Sequence, residues 1–438
     1  MQIHDTVDTV VVILNLGPVL QRAKIITNVR AAGGLYAGKD SCFHGSGVET
    51  SIVNEVAIEK WVYGGESLAR VDGRVVLVPF TMPGETVRIE LGDDVHAGLS
   101  EITAASPERV APPCPLFTLC GGCHYQHAPY DFQVARKVEI LREQFRRVGK
   151  IEYTGEIETI TGPPLGYRNR AQFHIRNGQI GYLAPRSHRL VPLTGECPLL
   201  SPRLNQALAD IRTLLKDSRF PRFVHSLELF TNDADVQVNA LEADRPVAKS
   251  FYEWTRSVVA VEYPTSFGTF RVSPRSFFQV NRFLIEPLVD AALHDAGGRT
   301  ALDLYAGVGL FALPLARRFE SVTDVESGAS AARDLEVNAA TAGVKILNRQ
   351  ARVEDFLRDL KETPDFVLAD PPRAGLGKPV VKELERLAPP RITIVSCDPA
   401  TLARDVAALA SSKIDRMILV DLFPQTYPLE TIVHLSRR

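Results

Sequence analysis

The chain has 438 residues, 45% of them hydrophobic and 23% charged, with a formal net charge of −2. That length and apolar share suit about three packed domains and exclude a disordered or low-complexity protein. A balance so near neutrality excludes a global basic field for nucleic acid, and no apolar run approaches the ~20 residues that cross a bilayer.

Residues 1–52 are rich in Gly, Ser, Val and Thr, show no clear period and carry no assignable task. They read either as a disordered extension or as sequence upstream of the true start, with Val53 or Val56 as initiator. The intact mass of the native protein decides between the two. The apolar stretch Val10–Leu20 is broken by Asn15, Gly17 and Pro18 and follows no Lys or Arg, which makes it a poor signal peptide.

Residues 53–108 change character. Short apolar stretches at 57–62, 75–79 and 87–91 alternate with turns at Gly64-Gly65, Asp72-Gly73 and Pro83-Gly84, predicting a small all-β barrel. Residues 109–265 read as a central unit of mixed α and β character. It opens with the linker-like 107–115 and a cysteine cluster: Cys114, Cys120 and Cys123, joined downstream by Cys197. Gly121 and Gly122 allow the tight backbone that wraps a metal group. Four thiolates suit zinc or an iron–sulfur cluster, and spacing does not choose. One cluster plus isolated thiols at Cys42 and Cys397 fits a reducing cytoplasm better than a disulfide framework.

Within this unit, 130–148 predicts an amphipathic helix with Val134, Val138, Leu141 and Phe145 on one stripe. A second helix is predicted at 204–215. Between Pro163 and His225 ten Lys and Arg face three acids, either a solvated face or a surface for RNA. Tyr125, Tyr167 and Phe173 are either base-stacking residues or core aromatics.

From 266 to the end, helix and strand alternate. Strands at 300–304, 322–325, 346–350, 366–369, 392–396, 417–421 and 431–435 predict a doubly wound α/β sheet, whose chemistry belongs at the carboxyl ends of its strands. Asp303-Leu-Tyr-Ala-Gly-Val-Gly309 follows the first strand. Its glycines Gly307 and Gly309 allow close approach of a cofactor, and Asp303 suits an amino-acid ammonium group, as in S-adenosylmethionine, better than a pyrophosphate. Glu326 ends the next strand, where a carboxylate can hold ribose hydroxyls. Asp370-Pro-Pro-Arg-Ala-Gly375 follows the fourth strand, and the prolines stiffen the loop that aims Asp370 into the crevice. Cys397 ends the 392–396 strand and is followed by Asp398, a helix cap, and Pro399 at a first helical position. The amino end of that helix is expected to lower the cysteine pKa and favour thiolate. The plain alternative is a small apolar residue ending a core strand. Glu430 precedes the last strand, and His434 within it reads as structural.

Together these motifs resemble the RNA uracil-5-methyltransferases, most of all the iron–sulfur type that modifies 23S ribosomal RNA. The resemblance spans residues 56–436 and is strongest at 277–281, 303–309, 370–375, 396–399 and 428–433. It implies a class I methyltransferase sheet at 266–438 and an OB-like TRAM barrel at 53–108. A [4Fe–4S] cluster would sit on Cys114, Cys120, Cys123 and Cys197. Gln279, Tyr305, Glu326 and Asp370 become contacts of S-adenosylmethionine, Cys397 the nucleophile and Glu430 the base. Leu310 departs from relatives that carry a polar residue after the glycine loop. The implied substrate is a looped or single-stranded uridine in RNA, with no membrane and no obligate protein partner, in the cytoplasm. Three alternatives stand beside it: a transfer RNA uridine enzyme, an RNA cytosine-5 methyltransferase, and a non-catalytic RNA-binding or ribosome-assembly protein. The cytosine enzymes usually place their cysteine after the fourth strand, where this chain has Asp370-Pro371.

Overall fold

The computed structural model describes residues 53–92 and 94–438, so the expectations for residues 1–52, and Cys42 among them, lie outside the described residues. The first elements are short strands in two sheets. Val53–Ala57, Thr86–Leu91 and Ala97–Ala104 form one, and Lys60–Trp61, Glu66–Val71 and Arg74–Pro79 the other. Alternation along these strands sends Val56, Ala69, Val76, Val78, Val87 and Ile89 into a shared core. Asp72 and Gly73 both take positive φ (48° and 78°), the two-residue hairpin turn whose twist matches that of its strands. Glu85 is fully buried and accepts from the Arg109 guanidinium at 2.6 Å, which clips the following linker to these sheets.

Next, five antiparallel strands run in the order Leu190–Pro192, Gln179–Leu183, Arg170–Arg176, Val224–Thr231 and Val236–Ala243. The helix Pro202–Leu214 packs on them through Leu204, Leu208 and Ile211, and Ser201 caps it by accepting the Leu204 N–H at 3.2 Å.

The large sheet has eight strands. Their order is Leu347–Gln350, Phe319–Glu326, Gly298–Leu304, Phe366–Ala369, Arg391–Ser396, Glu430–Arg437, Ser412–Val420 and Ile157–Ile160. The first five are parallel, and Glu430–Arg437 runs antiparallel to both its neighbours. Phe366–Ala369 is buried throughout, as a parallel strand covered on both faces must be, and this is why it reads as an unbroken apolar run.

Two features cross the boundary that the sequence expectation drew at residue 265. Ile157–Ile160 is the edge strand of the large sheet, and the helix Tyr130–Gln144 with its wider last turn Phe145–Gly149 packs on the same sheet. The physical reason is the buried stripe itself. Ile140, Leu141 and Phe145 meet Leu402 and Ala403 of the Pro399–Ala408 helix, and a side chain at Gly149 would strike the Ala403 carbonyl at 2.8 Å. The stripe also carries Lys137, fully buried, whose Nζ donates to Asp421 at 2.6 Å and to the Phe423 carbonyl at 2.9 Å. Removing one partner of a buried pair leaves an uncompensated charge. Lys137→Met is therefore expected to cost about 3–5 kcal/mol, and Asp421→Asn in the same chain to recover part of it. Urea unfolding of the two variants checks this; a single variant as stable as the parent would refute the pair's role.

Candidate active site

Four strand ends open on one crevice. Leu304 pairs with Ala369, Ala369 with Ile394, and Ser396 with Thr431 of the antiparallel strand. Residues one step beyond these pairs gather at the same edge: Tyr305, Asp370, Cys397 and Glu430, the last still paired with Val420 on its other side. The antiparallel last strand matters here, because it brings its first residue, and not its last, to the edge where parallel strands finish.

On one side of the crevice lies the glycine loop. Glu326 Oε2 accepts the Gly307 N–H at 2.9 Å and Oε1 accepts the Gly328 N–H at 2.5 Å, so one carboxylate clamps two loops. Tyr305 and Gly307 both adopt positive φ, 63° and 56°, and a side chain at Gly307 would meet nothing within 4 Å. That open space is where a ligand can approach the backbone. A side chain at Gly309 would instead collide with Leu313 at 2.9 Å, so that glycine serves packing. The helix Ala312–Leu315 follows the glycine loop.

Asp303 is fully buried and neither carboxylate oxygen has a hydrogen-bond partner. Burial, with repulsion from Asp324, Asp370 and Glu326, holds its pKa far above the carboxylate range. An orphaned buried carboxylate beside an open glycine loop is a receptor for a cation such as an amino-acid ammonium group. Gln279 is buried in the loop before the Ile285–Ala292 helix. That loop is held by Asp334, which accepts from Ser273 Oγ at 2.7 Å and Ser276 Oγ at 2.6 Å, while Asn338 ties the strand before it to the glycine loop, accepting the Arg271 N–H at 2.7 Å and donating to the Val308 carbonyl at 2.9 Å. Sequence reasoning passed over both residues, whose spacing on an ordinary amphipathic helix signals nothing.

Across the crevice stand Cys397, Asp370 and Glu430. Asp398 caps the following helix as its sequence predicts, Oδ1 accepting the Ala400 and Thr401 N–H groups at 3.0 and 2.8 Å. The expected lowering of the cysteine pKa is overturned. Burial first, then the negative charges of Glu430, Asp370 and Asp398, push the Cys397 thiol up to about 12, against a smaller opposing pull from Arg373. The cap that organises the helix thus adds a negative charge beside the sulfur. Glu430 is buried, and burial together with Asp370 holds its pKa well above the ordinary value, again opposed by Arg373. Burial pushes Asp370 up to about 7. The pair therefore supplies proton acceptors of unusual strength next to a thiol that must lose its proton before it can attack.

Distant segments brace this group. Tyr63, in a turn of the amino-terminal sheets, donates to Asp398 Oδ2 at 3.1 Å and meets Tyr427 edge-on at 5.6 Å. Gln425, at φ 67°, accepts on its carbonyl from the His124 and Tyr125 N–H groups at 2.8 and 3.1 Å, and its side chain pairs with Gln133. The loop that delivers Glu430 is thereby held by the hairpin leaving the cysteine cluster. His434 receives the Thr393 hydroxyl on Nδ1 and donates from Nε2 to the Ala291 carbonyl, a structural arrangement.

Cys114, Cys120, Cys123 and Cys197 line a single cavity with Leu116, Phe117, Tyr182 and Arg168. All five described cysteines are free thiols. Among the described residues no group of three or more His, Cys, Asp or Glu is arranged to hold a metal ion. The four thiols line one space, and soft thiolate ligands suit either zinc or an iron–sulfur cluster. Gln126 spans the ring, donating to Cys123 Sγ at 3.0 Å and accepting the Cys114 N–H at 3.1 Å.

The stacking candidates fail. Tyr125, Tyr167 and Phe173 are 1%, 0% and 0% exposed: Tyr125 lies flat on Trp61 at 4.1 Å, Tyr167 donates to the Pro424 carbonyl, and Phe173 sits in the central core. The aromatic that the structure leaves at the crevice loop is Phe277, 59% exposed, with the Arg170 guanidinium 5.9 Å from its ring. Arg170 is itself buried and doubly bonded to Glu228, and Arg168 faces the cysteine cavity, so two of the ten basic residues between 163 and 225 point inward.

The family model described as tRNA (Uracil-5-)-methyltransferase matches residues 265–438. The 23S rRNA (uracil(1939)-C(5))-methyltransferase of Halomonas elongata is 34% identical, over 87% of this chain and 89% of its own. That of Methylococcus capsulatus is 33% identical, over 87% and 96%. Among solved structures, a Pyrococcus abyssi tRNA (uracil-54, C5)-methyltransferase in complex with S-adenosyl-L-homocysteine superposes with a TM-score of 0.70 at 25% identity, covering 87% of this chain and 99% of its own.

Proposed function

This chain belongs to the RNA uracil-5-methyltransferase family, and we propose that it methylates carbon 5 of a uridine in 23S ribosomal RNA through a covalent bond between Cys397 and the base. It is an enzyme that uses S-adenosylmethionine and acts on RNA uracil. The observation that carries the proposal is the shared exit of Cys397 and Glu430 from one ladder, with Asp370 beside them. The ribosomal substrate rests on the relatives named for 23S rRNA. A transfer RNA substrate is the second reading, favoured by the family description and by the structural neighbour.

Bound S-adenosylmethionine supplies an electrophilic methyl group on a sulfonium. Asp303, Tyr305, Gly307, Glu326, Gln279 and Asp370 form its proposed cradle, and Gly309 shapes the loop through its close packing on Leu313. Carbon 5 of uracil is a poor nucleophile. The Cys397 sulfur, its proton passed to the Asp370–Glu430 pair, adds to carbon 6 and drives the ring electrons onto oxygen 4 as an enolate. Carbon 5 then takes the methyl group. Glu430 removes the remaining proton from carbon 5, the 5,6 double bond re-forms and the thiolate departs. The base must leave its stack to reach so recessed a thiol, which favours a looped or single-stranded target.

The strands between 53 and 104 act as an OB-like TRAM barrel gripping RNA, in a division of 53–108, 109–265 and 266–438 from which 130–149 and 157–160 are excepted, since they join the last unit. Cys114, Cys120, Cys123 and Cys197 hold a [4Fe–4S] cluster, which would supply a rigid clasp beside the loop carrying Glu430. A cytoplasmic location accords with a ribosomal substrate, and among the described residues no helix is long and apolar enough to cross a membrane. The test uses anaerobically purified protein, deuteromethyl S-adenosylmethionine and unmodified 23S rRNA or tRNA, with digested nucleosides weighed by mass spectrometry. Labelled 5-methyluridine from 23S rRNA is expected. Label from tRNA alone would replace the substrate, and labelled cytidine would overturn the reaction.

A further inference from the structure

One buried group has no task in this reaction. Asp324 is fully buried on the Phe319–Glu326 strand, and neither of its carboxylate oxygens has a hydrogen-bond partner. It is the register partner of Asp303 on the next parallel strand, so the two side chains share a face about 4.8 Å apart at the backbone. On its other side its register partner is Asn348, whose Oδ1 is also buried and unpartnered, while Nδ2 already donates to the Ala332 carbonyl at 3.0 Å. One row thus holds five buried acceptor oxygens without a hydrogen-bond partner, with only the Ala312 backbone N–H near enough to Asp303 to oppose its burial. Buried acceptors without a donor are costly, and a proton is the one group that supplies what is missing.

We propose that Asp324 and Asp303 share one proton while the crevice is empty, and that the ammonium group of the methyl donor displaces it, which makes Asp324 a positioning residue that links cofactor binding to proton release. The inference rests on the reading of Asp303 as the receptor for that ammonium group. The charges acting most on the pair are all negative: Glu326 on the same strand, Glu336 from the Ala329–Ala342 helix and Asp370 from the loop across the crevice. The Ala312 backbone N–H alone opposes them at Asp303. Burial, with Glu326 and Glu336, pushes Asp324 up to about 7, and Asp303 is raised well above its ordinary value, so the empty pair holds its proton at neutrality and below. A bound cation stabilises the doubly ionised pair, and the proton goes to solvent. Affinity therefore rises with pH through the range in which the empty pair still holds its proton. Within that range it changes ~10-fold per pH unit for a single linked proton.

The test is calorimetry of S-adenosylhomocysteine binding to the whole, anaerobically purified protein at pH 6, in buffers of different ionisation enthalpy. Wild-type protein is expected to release close to one proton. Asp324→Asn should bind with much less release and a flatter pH dependence. Binding by wild type without proton release overturns the inference, and needs no variant to fold. Undiminished release by Asp324→Asn also overturns it, by moving the proton to the Asp370–Glu430 pair. Failure of wild type to bind at any pH sinks instead the reading of Asp303 as a cofactor contact.

Discussion

Cys397→Ala is expected to abolish methylation, by at least ~10⁴-fold or ~5.5 kcal/mol of transition-state stabilisation, while leaving S-adenosylhomocysteine affinity unchanged. Both halves follow from position. The thiol lies on the Glu430 side of the crevice, whereas the groups suited to the cofactor cluster around the 303–309 loop and Glu326. Without sulfur nothing at that edge can add to carbon 6, and carbon 5 stays unactivated. Alanine removes one small, half-buried group at the start of a helix that Asp398 and Pro399 organise, so the fold has no reason to fail. Single-turnover methyl transfer and calorimetry on the same preparation check the two halves. Unchanged turnover would remove Cys397 from the mechanism.

Glu430→Gln carries the second large effect, and its signature is an accumulated species. Glutamine keeps the size of the side chain at a site only 4% exposed but accepts no proton. Addition and methyl transfer can still occur, with Asp370 left to take the thiol proton. Loss of the carbon 5 proton cannot, so enzyme, RNA and methyl group should remain covalently joined. A band of protein plus RNA on a denaturing gel, dependent on S-adenosylmethionine, is the expected result. Normal turnover with no such band would assign proton removal elsewhere, Asp370 first. The pH dependence has a definite sign. Because burial and Asp370 raise the Glu430 pKa, its basic form is lost as pH falls, and turnover should fall with it.

The alternation of strand and helix after 266 was legible because parallel strands buried on both faces are written as continuous apolar runs, as at 366–369 and 392–396. The motifs at their ends were legible for the same reason: a sharp apolar stop marks where the crevice begins. What the sequence hid was whatever depends on a partner far along the chain. Lys137 looks like a surface lysine until Asp421 closes on it, 284 residues away. Tyr63 gives no sign that it reaches Asp398. Asp324 reads as one more polar residue in a strand until register sets it against Asp303. The cysteine pKa was misjudged because a helix terminus can be seen in the sequence, whereas three converging carboxylates cannot. Tyr125, Tyr167 and Phe173 stood open between stacking and core because composition does not say which aromatics are covered, and their burial decides for the core.

The most direct test of covalent uracil methylation is a substrate that cannot finish. RNA carrying 5-fluorouridine offers a carbon 5 with no proton for Glu430 to remove, so the enzyme should stall after methyl transfer. Wild-type protein would be incubated with that RNA and deuteromethyl S-adenosylmethionine, digested with protease and nuclease, and its peptides weighed. The expected result is one peptide spanning Cys397 that carries fluorouridine together with a labelled methyl group. An adduct on another residue, or labelled 5-methyluridine from ordinary RNA with no adduct from the fluorinated one, would contradict it.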